Sequence, residues 1–361
     1  MPRDPTSGLQ LLATEHDLVP HALHGGRLWA SRGYTLLCRD VLPGSDGPWR
    51  SPGKVPEPLW RRGLARSGLA ANALRLGVHG LLPLASGSLL ACVTGRLLRS
   101  DDGHNWAPSL DFPGFRKPTR HGLLASRDGR IYCAEYSLNP DRSRAIHLWR
   151  SDDDGRSFAV VHTFAAGRVR HIHFIQEDPF GGQLWLGTGD ADRESALWQS
   201  GDRGATWDEV GAGSQKWRAI ALAFREDAVV WGTDAGSDAG SWPNRILSWE
   251  RKTGRLDELG RLQGPVHGIT ATADGDVLLA TGIEGGQNET DRCVHVWHGK
   301  NGADFREVAR WRRGLQPRRV QYAVAHFVRG QESFSKLYMG LRGLWQAQSA
   351  LAEVALGPAA P

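Results

Sequence analysis

The sequence is short of several things that would settle its function early. It has four cysteines in 361 residues, Cys38, Cys92, Cys133 and Cys293. All four lie in strand-like runs and none is at Cys-x-x-Cys spacing, so no cysteine metal or redox motif is present. They read as buried free thiols of a protein in a reducing compartment. Lysine is scarce; nearly all of the 44 basic residues are arginine. There is no dense basic run and no nucleic-acid-binding motif, which argues against a nucleic-acid partner. No apolar run approaches the length of a membrane span. The opening "MPRDPTSGLQLLATEHDLV" lacks the apolar region of a secretory signal. The expectation is a cytoplasmic protein with no membrane span and no organic cofactor, and the glycosylation sequon at Asn288 is set aside.

Tryptophan is plentiful, with 15 copies. Trp149, Trp198, Trp249, Trp297 and Trp345 occupy equivalent places in a repeat, which favours packing over binding for most of them. The formal net charge is +5 and the pI about 9.2. An arginine-rich surface suits an anionic ligand, because the guanidinium grips carboxylates bidentately; a GC-rich genome gives the same composition.

The most informative stretch is "LWRSDDDGRSF", residues 148–158. Its pattern, Ser-x-Asp-x-Gly-x-x-aromatic, is Ser151, Asp153, Gly155 and Phe158. It recurs in "LWQSGDRGATW" as Ser200, Asp202, Gly204 and Trp207. "LLRSDDGHNW" keeps Asp101, Gly103 and Trp106 with Arg99 at the serine position, and "VWHGKNGADF" keeps Gly302 and Phe305. The reading is local. A strand enters, glycine supplies the positive φ of a tight hairpin, and the Asp side chain accepts hydrogen bonds from the turn's own N–H groups. The acidic triplet is therefore expected to be structural. The pattern resembles the Asp-box, or BNR repeat, of sialidase-like β-propellers. It covers residues 76–312 well and the ends poorly.

Around these boxes the chain repeats at roughly 40–50 residues, the length of a four-stranded blade. The implied fold is all-β: one seven-bladed β-propeller domain over 1–361, with six blades as the alternative. The blades are expected near 16–56, 76–113, 118–164, 167–213, 214–262, 263–312 and 318–355. The run 8–15 would be the outer strand that closes the last blade, an arrangement that protects strand edges.

The innermost strands of four blades open on His79, His121, His171 and His267, with His21 a candidate fifth. Arg218 and Tyr322 take the position elsewhere. His173 lies one strand period beyond His171 and faces the same side. The second strands end in Glu135, Tyr136, Asp190, Asp234 and Glu284. Three readings stand together: histidines that cap backbone, a divalent metal site (Mn, Fe, Ni or Zn) on His79, His121, His171 and His267 with carboxylates behind, or a metal-free site for an anionic sugar.

The resemblance implies a carbohydrate-active protein, of the kind often described as a bacterial BNR-repeat glycosyl hydrolase. It departs from true sialidases, which are six-bladed with an Arg-Ile-Pro motif and an arginine triad; the motif is absent here and no triad can be assigned. The four-histidine array is similar in outline to those of oligogalacturonate-lyase-like and carotenoid-oxygenase-like propellers, though the local sequences match neither. The expectation is cleavage of a bacterial, acidic polysaccharide or oligosaccharide. Catalysis would fall to Tyr136, Glu135, Asp190 and Arg218, and substrate binding to Arg120, Arg170, Asp234, Glu284 and Tyr322. A metal-dependent uronate lyase and a non-catalytic glycan- or protein-binding scaffold are the alternatives. Hydrolysis needs two carboxylates flanking the bond; elimination needs a neutralised uronate and a base.

Overall fold

The computed structural model describes residues 8–42, 46–66, 68–115, 117–272, 274–317, 321–331, 336–345 and 347–356. The opening of the last repeat at Val320, and residues 332–335 within it, lie outside the described residues. Strand follows strand throughout, in two compact units: Val19–Ser214, and the chain before and after it. The first strand, β1 (Leu9–His16), belongs to the second of these.

Val19–Ser214 holds four sheets, each of four antiparallel strands in sequence order. The first is β2 (Val19–His24), β3 (Arg27–Arg32), β4 (Thr35–Asp40) and β5 (Arg50–Lys54). Two short helices follow, α1 (Leu59–Leu64) and α2 (Gly68–Leu74). The second sheet is β6 (Gly80–Pro83), β7 (Leu89–Val93), β8 (Arg96–Ser100) and β9 (Ala107–Asp111). The third is β10 (Leu123–Ala125), β11 (Ile131–Ala134), β12 (Ile146–Ser151) and β13 (Ala159–Phe164). The fourth is β14 (His171–Glu177), β15 (Leu184–Gly189), β16 (Ala196–Ser200) and β17 (Asp208–Ala212).

The second unit continues the pattern with β18 (Ala223–Phe224), β19 (Ala228–Gly232), β20 (Asn244–Glu250) and β21 (Leu256–Leu262). Next come β22 (Val266–Ala271), β23 (Val277–Ile283), β24 (Cys293–Lys300) and β25 (Ala303–Arg312). Then β26 (Ala323–Phe327), β27 (Leu337–Leu344) and β28 (Ala347–Leu356) pair in order, and β1 completes their sheet along β28, from Leu9 opposite Leu356 to His16 opposite Ala350. A short pairing of β23 with β26 joins these last two sheets into one of eight strands.

The core lies between neighbouring sheets. Leu90, Cys92 and Leu97 of one meet Leu123, Ile131 and Cys133 of the next. Tyr132, Ile146 and Leu148 in turn meet Ile172, Ile175 and Leu186. Second strands such as "LLACV" and "LWLGTG" are buried along their whole length. Strands covered on both faces are expected to read as unbroken apolar runs. The four cysteines are free, three of them buried. Burial pushes the Cys133 thiol far above its ordinary range.

The turns at the Ser-x-Asp-x-Gly stretches form the local bonds expected of them. The Ser151 hydroxyl accepts the Gly155 N–H at 2.9 Å and donates to Asp153 at 2.7 Å. Asp153 accepts the N–H groups of Arg156 and Ser157, each at 3.0 Å. Ser200, Gly204 and Asp202 repeat the set. The third copy departs from the expected alignment. Ser100 accepts the Gly103 N–H at 2.8 Å, and Asp102 accepts those of His104 and Asn105. That turn is one residue shorter, so the serine is Ser100 and the working carboxylate Asp102, not Asp101. Its glycine still takes positive φ, 77°.

The three carboxylates of the acidic triplet have three separate tasks. Asp153 holds its own turn. Asp152 pairs with Arg150 at 2.9 Å and Arg130 at 2.9 Å on the same sheet. Asp154 reaches the sheet before it, where buried Arg99 meets its carboxylate at 2.5 Å and its carbonyl at 2.6 Å. Asp101 closes this group on Arg99 at 2.8 Å.

Candidate functional site

The site in Val19–Ser214 is built where β14 begins and β15 ends. His171 stands opposite Gly189 in the register, and one extra residue, His173, is accommodated between the pairs of Ile172 and Phe174. Both imidazoles turn to Asp190, the residue just past β15. His171 Nε2 is 3.3 Å and His173 Nε2 3.1 Å from the same oxygen, Asp190 Oδ1, and the two nitrogens are 3.0 Å apart. All three residues are buried. Arg170 donates to the other oxygen, Oδ2, at 2.6 Å.

Neighbouring groups fix this arrangement. His171 Nδ1 lies 3.0 Å from the Ser137 carbonyl oxygen, and a carbonyl only accepts. Nδ1 therefore carries the hydrogen, which leaves the lone pair of a neutral His171 on Nε2. Tyr136 stacks on the His171 ring at 4.1 Å and 31°, with 39 % of its surface exposed. Burial would raise the Asp190 carboxyl, but the imidazoles of His171 and His173 against it favour its charged form and hold it well below the usual range. The loop after Asp190 is clamped by Glu194. Its Oε1 accepts the N–H groups of Asp190 and Ala191 at 3.0 and 2.9 Å, and Arg142 pairs with it from the previous sheet.

Two imidazole nitrogens and a carboxylate oxygen this close need hydrogen or a cation among them: the N–H of a neutral His173 can serve both neighbours, or one divalent ion can bind all three. Ligands bonded to one small divalent ion at about 2.1 Å and near-right angles lie about 3.0 Å apart. The observed separations of 3.0 to 3.3 Å match that spacing. Two histidines and one carboxylate on one side of an ion leave further positions for a ligand, and suit Fe, Mn, Ni or Zn. His171 also has the orienting partner on its second nitrogen that metal-binding imidazoles usually have.

A second cluster, Asp234, His267 and Glu284, lies in the other unit. His267 Nε2 is 3.0 Å from Glu284 Oε1. A Cβ on Gly282 would come within 2.2 Å of the His267 ring, so the glycine makes room for it. Burial lowers the affinity of His267 for a proton, but Glu284, and then Asp234 and Glu289, raise it overall. Arg218 adds a further cation 3.7 Å from Asp234. Arg218 stands beside Asp234 as Arg170 does beside Asp190, so a guanidinium does not separate the two clusters; they differ in donor set, one imidazole and two carboxylates here against two imidazoles and one carboxylate there. Glu289 accepts the N–H groups of Glu284, Gly285 and Gly286, as Glu194 does at its own loop.

The other expected site residues are distributed as follows. His79 Nε2 bonds the Thr94 hydroxyl at 2.9 Å, and His21 bonds that of Ser31 at 2.8 Å. The repeated histidine thus carries a repeated local bond to the end of the second strand of its own sheet. The partner is a hydroxyl at two positions and a carboxylate at His171 and His267. His121 is buried and its carbonyl takes the Ile175 N–H. Among the described residues, neither His79 nor His121 joins a group of three such donors. Glu135 is fully buried, accepting the His147 N–H at 3.0 Å and pairing with Arg144 at 2.9 Å. Tyr136, its neighbour just past β11, lies against the histidines instead. Arg120 donates to the Pro20 carbonyl at 3.1 Å, and Arg218 is held by Asp238 and Gln215 as well as facing Asp234. Tyr322 is about half exposed. Glu194, Glu289 and Arg142 were not anticipated. For the two glutamates the signal was a Glu four or five residues after the strand-ending acid, in "DADRE" and "EGGQNE".

No protein-family model matches the chain, and no curated protein matches it. Solved structures do match along its whole length. A catalytically inactive histidine-to-alanine form of virginiamycin B lyase from Staphylococcus aureus, with quinupristin, superposes with TM-score 0.60 at 14 % identity, over 96 % of this chain and 99 % of that one. The fold is that of a β-propeller. A streptogramin B lyase gives 0.57 at 13 %, over 96 % and 98 % of the two chains. A chain of a mitotic checkpoint complex gives 0.59 at 10 %, over 99 % and 98 %. Proteins this different in name share the architecture, so the likeness is one of fold. No helix among the described residues is long and apolar enough to cross a membrane.

Proposed function

We propose that the chain is a seven-bladed, Asp-box β-propeller enzyme that cleaves an anionic polysaccharide or oligosaccharide by elimination, with a divalent cation held by His171, His173 and Asp190. The observation that carries this reading is the meeting of those three donors within 3.3 Å, one imidazole being fixed so that its lone pair faces the others. Lyase chemistry is also the activity named for two whole-length structural neighbours.

A divalent cation held by His171, His173 and Asp190 would supply positive charge to the uronate carboxylate and so make the neighbouring C5–H more acidic. Tyr136, as phenolate, takes the C5 proton. The C4–O bond breaks, C4=C5 forms, and the proton passes to the departing oxygen, so no water is consumed. Arg170 holds Asp190 and contributes positive charge beside the substrate carboxylate. Elimination is favoured over hydrolysis because the cluster offers one carboxylate, not a flanking pair. Glu135 is occupied by Arg144 and the His147 N–H, and Glu194 by its loop and Arg142.

The test is incubation of cation-reconstituted protein with a panel of uronate polysaccharides, following the ultraviolet absorbance of the conjugated double bond. The expected result is a signal lost in His171→Ala. New reducing ends without that absorbance would mean hydrolysis. Glycan binding without cleavage across the panel would mean a non-catalytic propeller.

A further inference from the structure

The link between β5 and β6 is unlike the other sheet-to-sheet links of its unit, which carry no helix among the described residues. It holds α1 and α2, and α1 buries none of its side chains. Helices of water-soluble proteins normally turn an apolar stripe inward. Here Leu59 is 81 % exposed, Trp60 59 %, Leu64 40 % and Leu74 53 %. At about 100° per residue, Leu59, Trp60, Gly63 and Leu64 share one arc of roughly 140°, with Arg61 and Arg62 on the remainder. From Pro58 to Gly77 the chain has arginines at 61, 62, 66 and 75 and no acidic residue. Arg62, Arg66 and Arg75 are exposed.

The segment is nonetheless anchored. Buried Glu57, just before α1, pairs with Arg61 at 3.0 Å and with Arg96 of β8 at 3.2 Å. Ala65 and Leu76 pack against the core of the first two sheets. The fold therefore holds the base of this insertion firmly and presents its tryptophan and leucines to the outside.

We propose that this insertion seats the protein on an anionic lipid surface. Leu59, Trp60 and Leu64 would enter the boundary between headgroups and acyl chains, and Arg62, Arg66 and Arg75 would meet lipid phosphates. Bulky apolar residues on one face with arginines on the other form the pattern of helices that lie in a membrane interface, where tryptophan is favoured. Basic residues near such a surface are drawn to acidic lipids. A soluble polyanion would use the arginines and leave Leu59 and Trp60 in water, so the apolar residues favour lipid.

The test is co-sedimentation of the full-length protein with phosphatidylcholine vesicles, with or without phosphatidylglycerol. At least tenfold more binding (~10) to the acidic vesicles is expected, weakening with salt. The pair Leu59→Ser/Trp60→Ser should lose about tenfold with its arginines intact, and Arg62→Glu/Arg66→Glu should lose the preference for acidic lipid. Leu315→Ser, at a residue 76 % exposed in the other unit, should bind as the parent does. All these sites are exposed, so melting temperatures should be unchanged. The proposal is overturned if Leu59→Ser/Trp60→Ser binds undiminished. It is equally overturned if dextran sulfate is bound as tightly as the vesicles by both parent and that variant, which would make the arginines a site for soluble polyanions.

Discussion

Glu194 accepts the backbone N–H of Asp190 at 3.0 Å, and so holds in place the carboxylate on which His171 and His173 converge. Its own carboxylate is bonded to the loop backbone and to Arg142 rather than to those rings, so it acts by position. Removing it in Glu194→Ala leaves two backbone N–H groups without their acceptor. The expected cost is about 1–3 kcal/mol of stability and a loss of about 10–100-fold in divalent-cation affinity. Glu194→Gln keeps an oxygen for the N–H groups and should recover most of both. Titration calorimetry with Zn²⁺ or Mn²⁺, beside thermal melts, separates the two effects.

Tyr136 touches the ring of His171 yet supplies none of the three clustered donors. Tyr136→Phe keeps the stacked ring and removes the hydroxyl. If the hydroxyl moves the proton, turnover should fall by about 10²-fold or more while cation content stays at the parent level. Equal turnover in the variant would remove Tyr136 from the chemistry without touching the cation site.

The acidic triplet predicts a ranked set of stability losses. Asp154→Ala removes one of the two carboxylates on buried Arg99, which keeps Asp101, the Ser88 hydroxyl and the residue-154 carbonyl, and should cost about 1–2 kcal/mol. Asp153→Ala frees the turn's N–H groups into solvent and should cost about 1 kcal/mol. Asp152→Ala breaks exposed pairs and should cost less than about 0.5 kcal/mol. Chemical denaturation of the three variants gives the order directly.

These turns also set an acid limit. Burial opposes ionisation of Asp153, but bonds from Ser157, Ser151 and Arg156 bring its carboxyl down to about 2. Thr206 and Ser200 bring Asp202 to about 2, and Asn105 and His104 depress Asp102 as well. A carboxylate whose folded value lies below the unfolded one stabilises fully above the unfolded value and loses that contribution as pH falls through the folded one. The melting temperature should therefore drop between about pH 4 and pH 2. Asp153→Asn should start lower and fall less steeply across that window.

How much of this was legible in the sequence follows the range of the interactions. The Ser-x-Asp-x-Gly turn is contained within eight residues, so its serine, aspartate and glycine could be assigned at Ser151 and Ser200 by inspection. It slipped by one position at Ser100, because "RSDDG" allows two alignments and only the N–H partners of Asp102 distinguish them. His171 and His173 were visible as a period-two pair. Their convergence on Asp190 depends on an extra residue in β14 and on a loop clamped by Glu194, neither of which has a one-residue signature. The histidine repeat was plain, but not its meaning. Whether each imidazole meets a hydroxyl, as at Thr94 and Ser31, or a carboxylate, as at Asp190, depends on the end of the second strand. Glu135 and Tyr136 were equally eligible in sequence, and only their partners separate them: Arg144 and the His147 N–H for Glu135, the His171 ring for Tyr136.

The most direct test of the cation site is elemental analysis of tag-free, full-length protein after exhaustive dialysis, beside His171→Ala, Asp190→Asn and His79→Ala. The account predicts about one equivalent of a divalent transition metal in the parent and in His79→Ala, lost in the other two. A parent without metal after reconstitution, or metal retained in both His171→Ala and Asp190→Asn, would contradict it.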